Sequence, residues 1–167
     1  MLRFVALFCV VALVNGQTTP VDLCTANSGL LPMNTYIEGC DSLPCDLPQL
    51  QDAEINIIFR APWTINRMRT LATAHLPGMV ALPYPLQANS ETCNFLTSTK
   101  CPVKKDEIVQ YALKMFIQPS FPVGVESTIE FRINDVDRNS SVVCIRVPVR
   151  IVGPVNSGVR DNNVNIA

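Results

Sequence analysis

Few side chains in this sequence are of a type that does covalent chemistry. There is one histidine, His75, and no Gly-x-Ser-x-Gly turn. A triad needs a base beside its nucleophile, and a zinc site needs three or four nitrogen, sulfur or carboxylate ligands. The seven cysteines contain no Cys-x-x-Cys pair that would begin such a ligand set. Asp135 and Asp137 flank Val136 and could touch a hard cation. Without further oxygen ligands at the spacing calcium uses, an acidic turn accounts for them. His75 reads as an ordinary strand residue rather than a pH switch. The expectation is a protein that is not an enzyme, with no catalytic residue, no metal and no cofactor.

The cysteines point to stapling instead. Met1-Leu2-Arg3 is a short positive start, residues 4–14 are almost unbroken apolar, and Val14-Asn15-Gly16 offers a cleavage site. This is the layout of a secretory signal peptide, and the run is too short to span a bilayer. Residues 1–16 are therefore read as a signal, and Cys9 is lost with them. Cys24, Cys40, Cys45, Cys93, Cys101 and Cys144 remain, an even set in an exported chain, which reads as disulfides. Six cysteines allow about 15 pairings. The short intervals Cys40 to Cys45 and Cys93 to Cys101 suit local clips, and Cys24 to Cys144 would then tie the start of the domain to its last strand.

Charge excludes one class of partner. Thirteen Lys and Arg stand against fourteen Asp and Glu, and removal of Arg3 leaves twelve. No basic stripe is present, so no nucleic acid is expected.

The elements that hold these residues are strands. Ile55, Ile57 and Phe59 share one face of residues 54–60. Val109, Tyr111, Leu113, Met115 and Ile117 share another, as do Ile129, Phe131 and Ile133, and then Val143, Ile145, Val147, Val149 and Ile151. Period-two alternation of this kind predicts half-buried strands with one wet face. Pro148 cannot donate to a ladder, which predicts an edge or a bulge there. Residues 135–141 read as a hairpin loop, and residues 67–76 as a strand. Thirteen prolines argue against long helices. The sum is an all-β sandwich in one domain, residues 17–152. Residues 153–167 read as a polar, disordered tail.

Several motifs, taken together, resemble the Niemann-Pick type C2 family of ML lipid-recognition domains, to which group 2 mite allergens are related. They are Gly39-Cys40-Asp41-Ser42-Leu43-Pro44-Cys45, Leu82-Pro83-Tyr84-Pro85, Cys101-Pro102, Phe121-Pro122 and the run from Cys144 through Val147-Pro148-Val149 to Val152. The resemblance covers about residues 24–152. It implies an immunoglobulin-like sandwich of seven or eight antiparallel strands with an apolar cavity between the sheets. It also implies the pairing Cys24–Cys144, Cys40–Cys45 and Cys93–Cys101. By motif, the family's lipid-binding positions fall on Tyr84, Ile117 and Phe121. Relatives commonly carry phenylalanine at Tyr84 and tyrosine at Phe121, so the hydroxyl has changed walls.

Two functions follow from the resemblance. One is a secreted carrier, extracellular or in the lysosomal lumen, that transfers a sterol or fatty-acid-like lipid between membranes or partners. The other is a recognition protein that presents a lipid or semiochemical to a receptor in innate immunity or chemosensation. The implied partners are the lipid and a membrane lipid-transfer protein or receptor, with the chain itself a monomer. The candidate mouth loops are nearly neutral, which favours the carrier over a binder of acidic glycolipids. Asn139-Ser140-Ser141 is a glycosylation sequon on the polar hairpin.

Overall fold

The computed structural model describes residues 17–155; the signal expected over residues 1–16 and the tail beyond Val155 lie outside the described residues. Nine strands follow in order: β1 (Asp22–Leu23), β2 (Asn34–Ile37), β3 (Cys45–Pro48), β4 (Asp52–Arg60), β5 (Met68–His75), β6 (Leu82–Tyr84), β7 (Ile108–Phe116), β8 (Glu126–Asp135) and β9 (Ser140–Val152). Two single turns of 3-10 helix, Gln87–Ser90 and Thr92–Phe95, lie between β6 and β7.

The strands form two sheets. The larger runs β1-β9-β8-β5-β6, with β3 also on β9, and the smaller runs β2-β4-β7. The sandwich expected from alternation is present. All of the inward residues named from the sequence on β4, β7, β8 and β9 are buried, and the strand expected at residues 67–76 is β5. The count exceeds the seven or eight strands implied by the resemblance. The two- to four-residue strands β1, β3 and β6 are too short to show a period. One pairing is also not antiparallel: β3 runs parallel to β9, with Cys45 opposite Val149.

Pro148 is accommodated differently from expectation. β9 is flanked by β8 on one side and by β1 and β3 on the other. β1 covers Ile145 and Arg146, and β3 covers Val149 onward, so Pro148 falls in the gap between them. The missing donor needs neither a sheet edge nor a bulge. The register shift in this ladder lies at Ile133 and Asn134 instead.

The outer face of the large sheet is not fully wet. Glu130 is only 4% exposed and Cys144 is fully buried. The segment after β1 lies across them, held by the Cys24–Cys144 disulfide. Asn27 Nδ2 donates to Glu130 Oε1 at 2.6 Å, and Arg132 donates to the Asn27 carbonyl oxygen. His75, on the same face, sits with Nε2 3.7 Å from Glu130 Oε2, beyond hydrogen-bond distance. Gly29 is required in this cover. A Cβ there would stand 2.6 Å from the Cys144 Cβ, and its φ of +145° is one that side chains rarely adopt.

Residues 136–139 form the turn between β8 and β9, as expected, with Asn139 exposed. Asp135 anchors it. Its carboxylate accepts from the Asp137 amide at 2.9 Å, the Arg138 amide at 3.2 Å and Trp63 Nε1 at 2.7 Å. Asp137 is engaged by Arg67 and Asn66. Both carboxylates of this turn therefore have protein donors.

Candidate functional site: an apolar cavity at one end of the sandwich

Side-chain size varies along the inward faces. At one end of the sandwich stand Phe59 on β4, Met68 on β5, Tyr111 on β7 and Phe131 on β8, all almost completely buried. Further along the same strands the inward positions are Ala53, Ala72 and Ala74, and Ser127. Of these, Ala74 and Ser127 line the open space, whereas Ala72 stands opposite Phe131 and Ala53 opposite Met115. Sheets packed face to face stand about 10 Å apart, a gap that rings fill and alanines do not.

The result is a cavity of about 420 Å³ between the sheets. Its large-sheet wall includes Leu47, Ala74, Ile129, Val149 and Ile151, and its small-sheet wall is Met115 with Ile117 just beyond β7. Two proline-bearing segments form the mouth. One carries Leu82, Pro83, Tyr84 and Pro85, and the other Phe121 and Pro122. Among the described residues, none of the side chains lining the cavity is charged; Gln118, Ser127 and the Tyr84 hydroxyl are its polar groups.

Tyr84, Ile117 and Phe121, singled out from the motifs, all face this one cavity. Ile117 is buried in the wall, while the two rings stand at the mouth with centroids 5.9 Å apart and planes tilted by 57°. Their supports differ. Tyr84 is not in a loop, as its flanking prolines suggest, but ends β6, paired with Ala72 of β5. Its hydroxyl donates to the Phe116 carbonyl at 2.7 Å, which ties β6 across the gap to β7 of the other sheet. Phe121 does lie in a loop. Its main-chain carbonyl accepts from Gln49 Nε2, which also donates to the Pro119 carbonyl at 3.2 Å. Gly124, at φ +85°, then turns the chain so that its amide meets the Ile151 carbonyl at 2.8 Å. The mouth loop is thus fastened to β9 and to the turn after β3.

Burial pushes the Tyr84 phenol above its ordinary pKa, with the Gln118 side chain offsetting part of the rise and the Asp52 carboxylate adding to it. At the filled end the same cause acts more strongly. Burial pushes the Tyr111 phenol up to about 12, although Thr70 and Thr92 favour the phenolate. Those threonines bond each other at 2.7 Å, and the Tyr111 hydroxyl faces them without a close hydrogen bond of its own.

The sequence model of the ML domain matches residues 18–151. The chain belongs to the ML domain family. The NPC intracellular cholesterol transporter 2 homolog a of Drosophila melanogaster is 26% identical over 153 residues, spanning 90% of this chain and 99% of that protein. The crystal structure of a Niemann-Pick type C2 protein from Japanese carpenter ant shares the fold. Its TM-score is 0.69 at 20% identity, covering 80% of this chain and 99% of that one. Chicken MD-1, crystallised with lipid IVa, is more distant, with a TM-score of 0.45, 15% identity, and coverage of 70% and 78%. The resemblance to Niemann-Pick type C2 proteins read from the motifs is borne out, and so is the sandwich.

The structure adds cavity residues to this ML domain that motifs did not single out, notably Leu47, Gln118, Val125, Ile129, Val149 and Ile151. Ile129, Val149 and Ile151 were already visible as inward-facing. What alternation does not show is which inward residues meet a packed neighbour and which meet a void. The signal that was present is the pair of small inward residues Ala74 and Ser127 among larger neighbours. The three disulfides of the fold join Cys24 to Cys144, Cys40 to Cys45 and Cys93 to Cys101, the pairing the resemblance implies.

Proposed function

We propose that this protein is a secreted lipid carrier that holds a sterol or another small hydrophobic molecule in the cavity between its sheets and hands it to a membrane or a partner. The observation that carries the reading is the cavity itself: about 420 Å³, walled by aliphatic side chains, with no charged lining residue among those described. An empty apolar space costs stability, because its lining lacks contacts on one side. A lipid supplies them. At about 25 cal/mol per Å² of apolar surface, removing a few hundred Å² of lipid from water contributes several kcal/mol of gross driving force. Micromolar affinity lies within that range after the costs of association.

Tyr84, Ile117 and Phe121 are the proposed lipid-contacting residues, Ile117 as wall and the two rings as a gate. Nothing in the lining suggests turnover, so the lipid leaves as it entered. The fly relative is named as a cholesterol transporter, which supports a sterol-sized cargo. An apolar rim supports transfer. Leu82 at the mouth and Met79, Val80 and Val123 beside it are exposed. The three disulfides suit an oxidising compartment, and they hold the shell without requiring a filled core. A glycan on Asn139 belongs to the same reading. The residue is exposed on the β8–β9 turn, and glycosidase treatment of protein from its own secretory pathway should change its mobility. No change would remove that site.

The deciding experiment is an organic extract of the purified native protein, read by mass spectrometry. A stoichiometric sterol or other neutral or acyl lipid is expected. An extract without lipid, together with no saturable binding of a fluorescent sterol or fatty acid, would end the carrier reading.

A further inference from the structure

We infer that the cavity selects lipids with an uncharged head, alcohols foremost, and discriminates against ionised carboxylates of the same chain length. This rests on the carrier reading above and sharpens it. The distribution of charge around the cavity is one-sided. The lysine and arginine adjacent in sequence to lining residues are Lys114, beside Met115, and Arg150, between Val149 and Ile151. Alternation turns both to the outer faces. Both are already paired there, Lys114 with Glu54 at 3.2 Å and Arg150 with Asp46 at 2.7 Å. His75, next to Ala74, likewise faces outward toward Glu130. A carboxylate drawn into the cavity would meet no counter-charge, and a buried unpaired charge is among the costliest features a site can contain.

The mouth offers a second, independent reason. Its polar groups are the Tyr84 hydroxyl and the Gln118 amide. The phenolic proton is spent on the Phe116 carbonyl, so Tyr84 presents a ligand with lone pairs only. Asp52 stands opposite Phe116 in the β4–β7 ladder, on the outer face but near enough for its charge to act on the Tyr84 hydroxyl. Lone pairs and a carboxylate welcome a donor and repel an anion. Gln118, exposed at the rim, can donate and accept at once. An alcohol matches this set: its hydroxyl donates to Tyr84 or to the Gln118 carbonyl and accepts from the Gln118 amino group. An ester or ketone matches half of it. A carboxylate would have to enter as the protonated acid, and at pH 8 that form is scarce, because carboxylic acids titrate near pH 4 to 5, by roughly tenfold per unit.

The test uses three ligands with one tail: hexadecanol, methyl hexadecanoate and hexadecanoate. Each displaces a neutral fluorescent sterol from the full mature protein at pH 8. The alcohol should bind tightest, the ester next, and the carboxylate at least about tenfold weaker than the alcohol. Equal affinity for alcohol and carboxylate would overturn this inference and leave the carrier reading standing. Failure of all three, and of the sterol probe, would overturn both. Gln118→Lys places a cation at the mouth of an otherwise unchanged cavity, at an exposed site that the fold tolerates. It should raise carboxylate affinity about tenfold and narrow the preference for alcohol over carboxylate by at least as much. A folded Gln118→Lys that gained no carboxylate affinity would show that the head does not sit at this mouth, and the inference would fall.

Discussion

The two ends of the sandwich are built from the same strands and behave oppositely. At the filled end, Phe59, Met68, Tyr111 and Phe131 occupy the gap between sheets. At the open end β5 and β8 present Ala74 and Ser127, and a cavity of about 420 Å³ remains. Backbone geometry and inward alternation do not change along the way. Side-chain volume differs between the two ends, so that one is packed and the other leaves room. The fastenings agree with this division. The filled end is closed by a hairpin anchored through Asp135 and Trp63, while the open end is bridged by the hydroxyl bond from Tyr84 to Phe116 and by the Gln49 amide bonds to the Phe121 loop.

Substitutions can break this comparison. Ile117→Asp puts an unpaired charge into the cavity wall and should lower lipid affinity by about 100-fold or more. Circular dichroism should still report a folded, disulfide-bonded sandwich. A folded variant that bound a fluorescent sterol and a fluorescent fatty acid like wild type would show that the cavity is not the site. Phe131→Ala opens a void at the filled end and should cost about 3–5 kcal/mol in chemical denaturation. A loss below 1 kcal/mol would mean that this end is not tightly packed after all.

Phe121→Ala removes a ring from the open end. Lipid affinity should fall by about 1–3 kcal/mol, while unfolding of the lipid-free protein changes much less, because the ring is only partly buried. Equal losses in both measurements would erase the contrast between the ends. The smallest effect is at Tyr111. Its phenol titrates near 10 unfolded and is pushed up to about 12 by burial, so the neutral form is favoured in the fold. That stabilisation is complete below pH 10 and is lost as pH rises toward 12. Tyr111→Phe has no proton to lose, and relative to its difference from wild type at pH 8 it should gain about 1 kcal/mol at pH 11. No relative gain in denaturant midpoints would mean that the hydroxyl is better solvated than its surroundings indicate.

Much of the framework was legible in the residues because alternation survives wherever one face is buried over five or more positions. β4, β7, β8 and β9 meet that condition. What escaped has three physical causes. β1 and β3 are held by partners distant in the chain, and β6, paired with the neighbouring β5, is only three residues long, so none leaves a local pattern. Glu130 and Pro148 were placed by rules for an exposed face and a continuous ladder, and tertiary neighbours altered both conditions: a covering segment for Glu130 and a gap between two short strands for Pro148. The cavity was expected from a resemblance, and its extent could not be read from alternation, which reports direction and not the distance to the next atom.

The position of β9 has a consequence for synthesis. It is the last described strand, and β1, β3 and β8 all attach to it. The Cys24–Cys144 bridge joins residues 120 apart, whereas the other two bridges close over 5 and 8. A ribosome has therefore released nearly the whole domain before the large sheet can be completed, and β1 and β3 must wait without their ladder until then. The two short bridges can close as soon as their cysteines emerge, so the loop before β7 and the turn before β3 gain order before the strand that completes the large sheet exists. Assembly of this protein runs from its periphery inward, and its final strand completes the container.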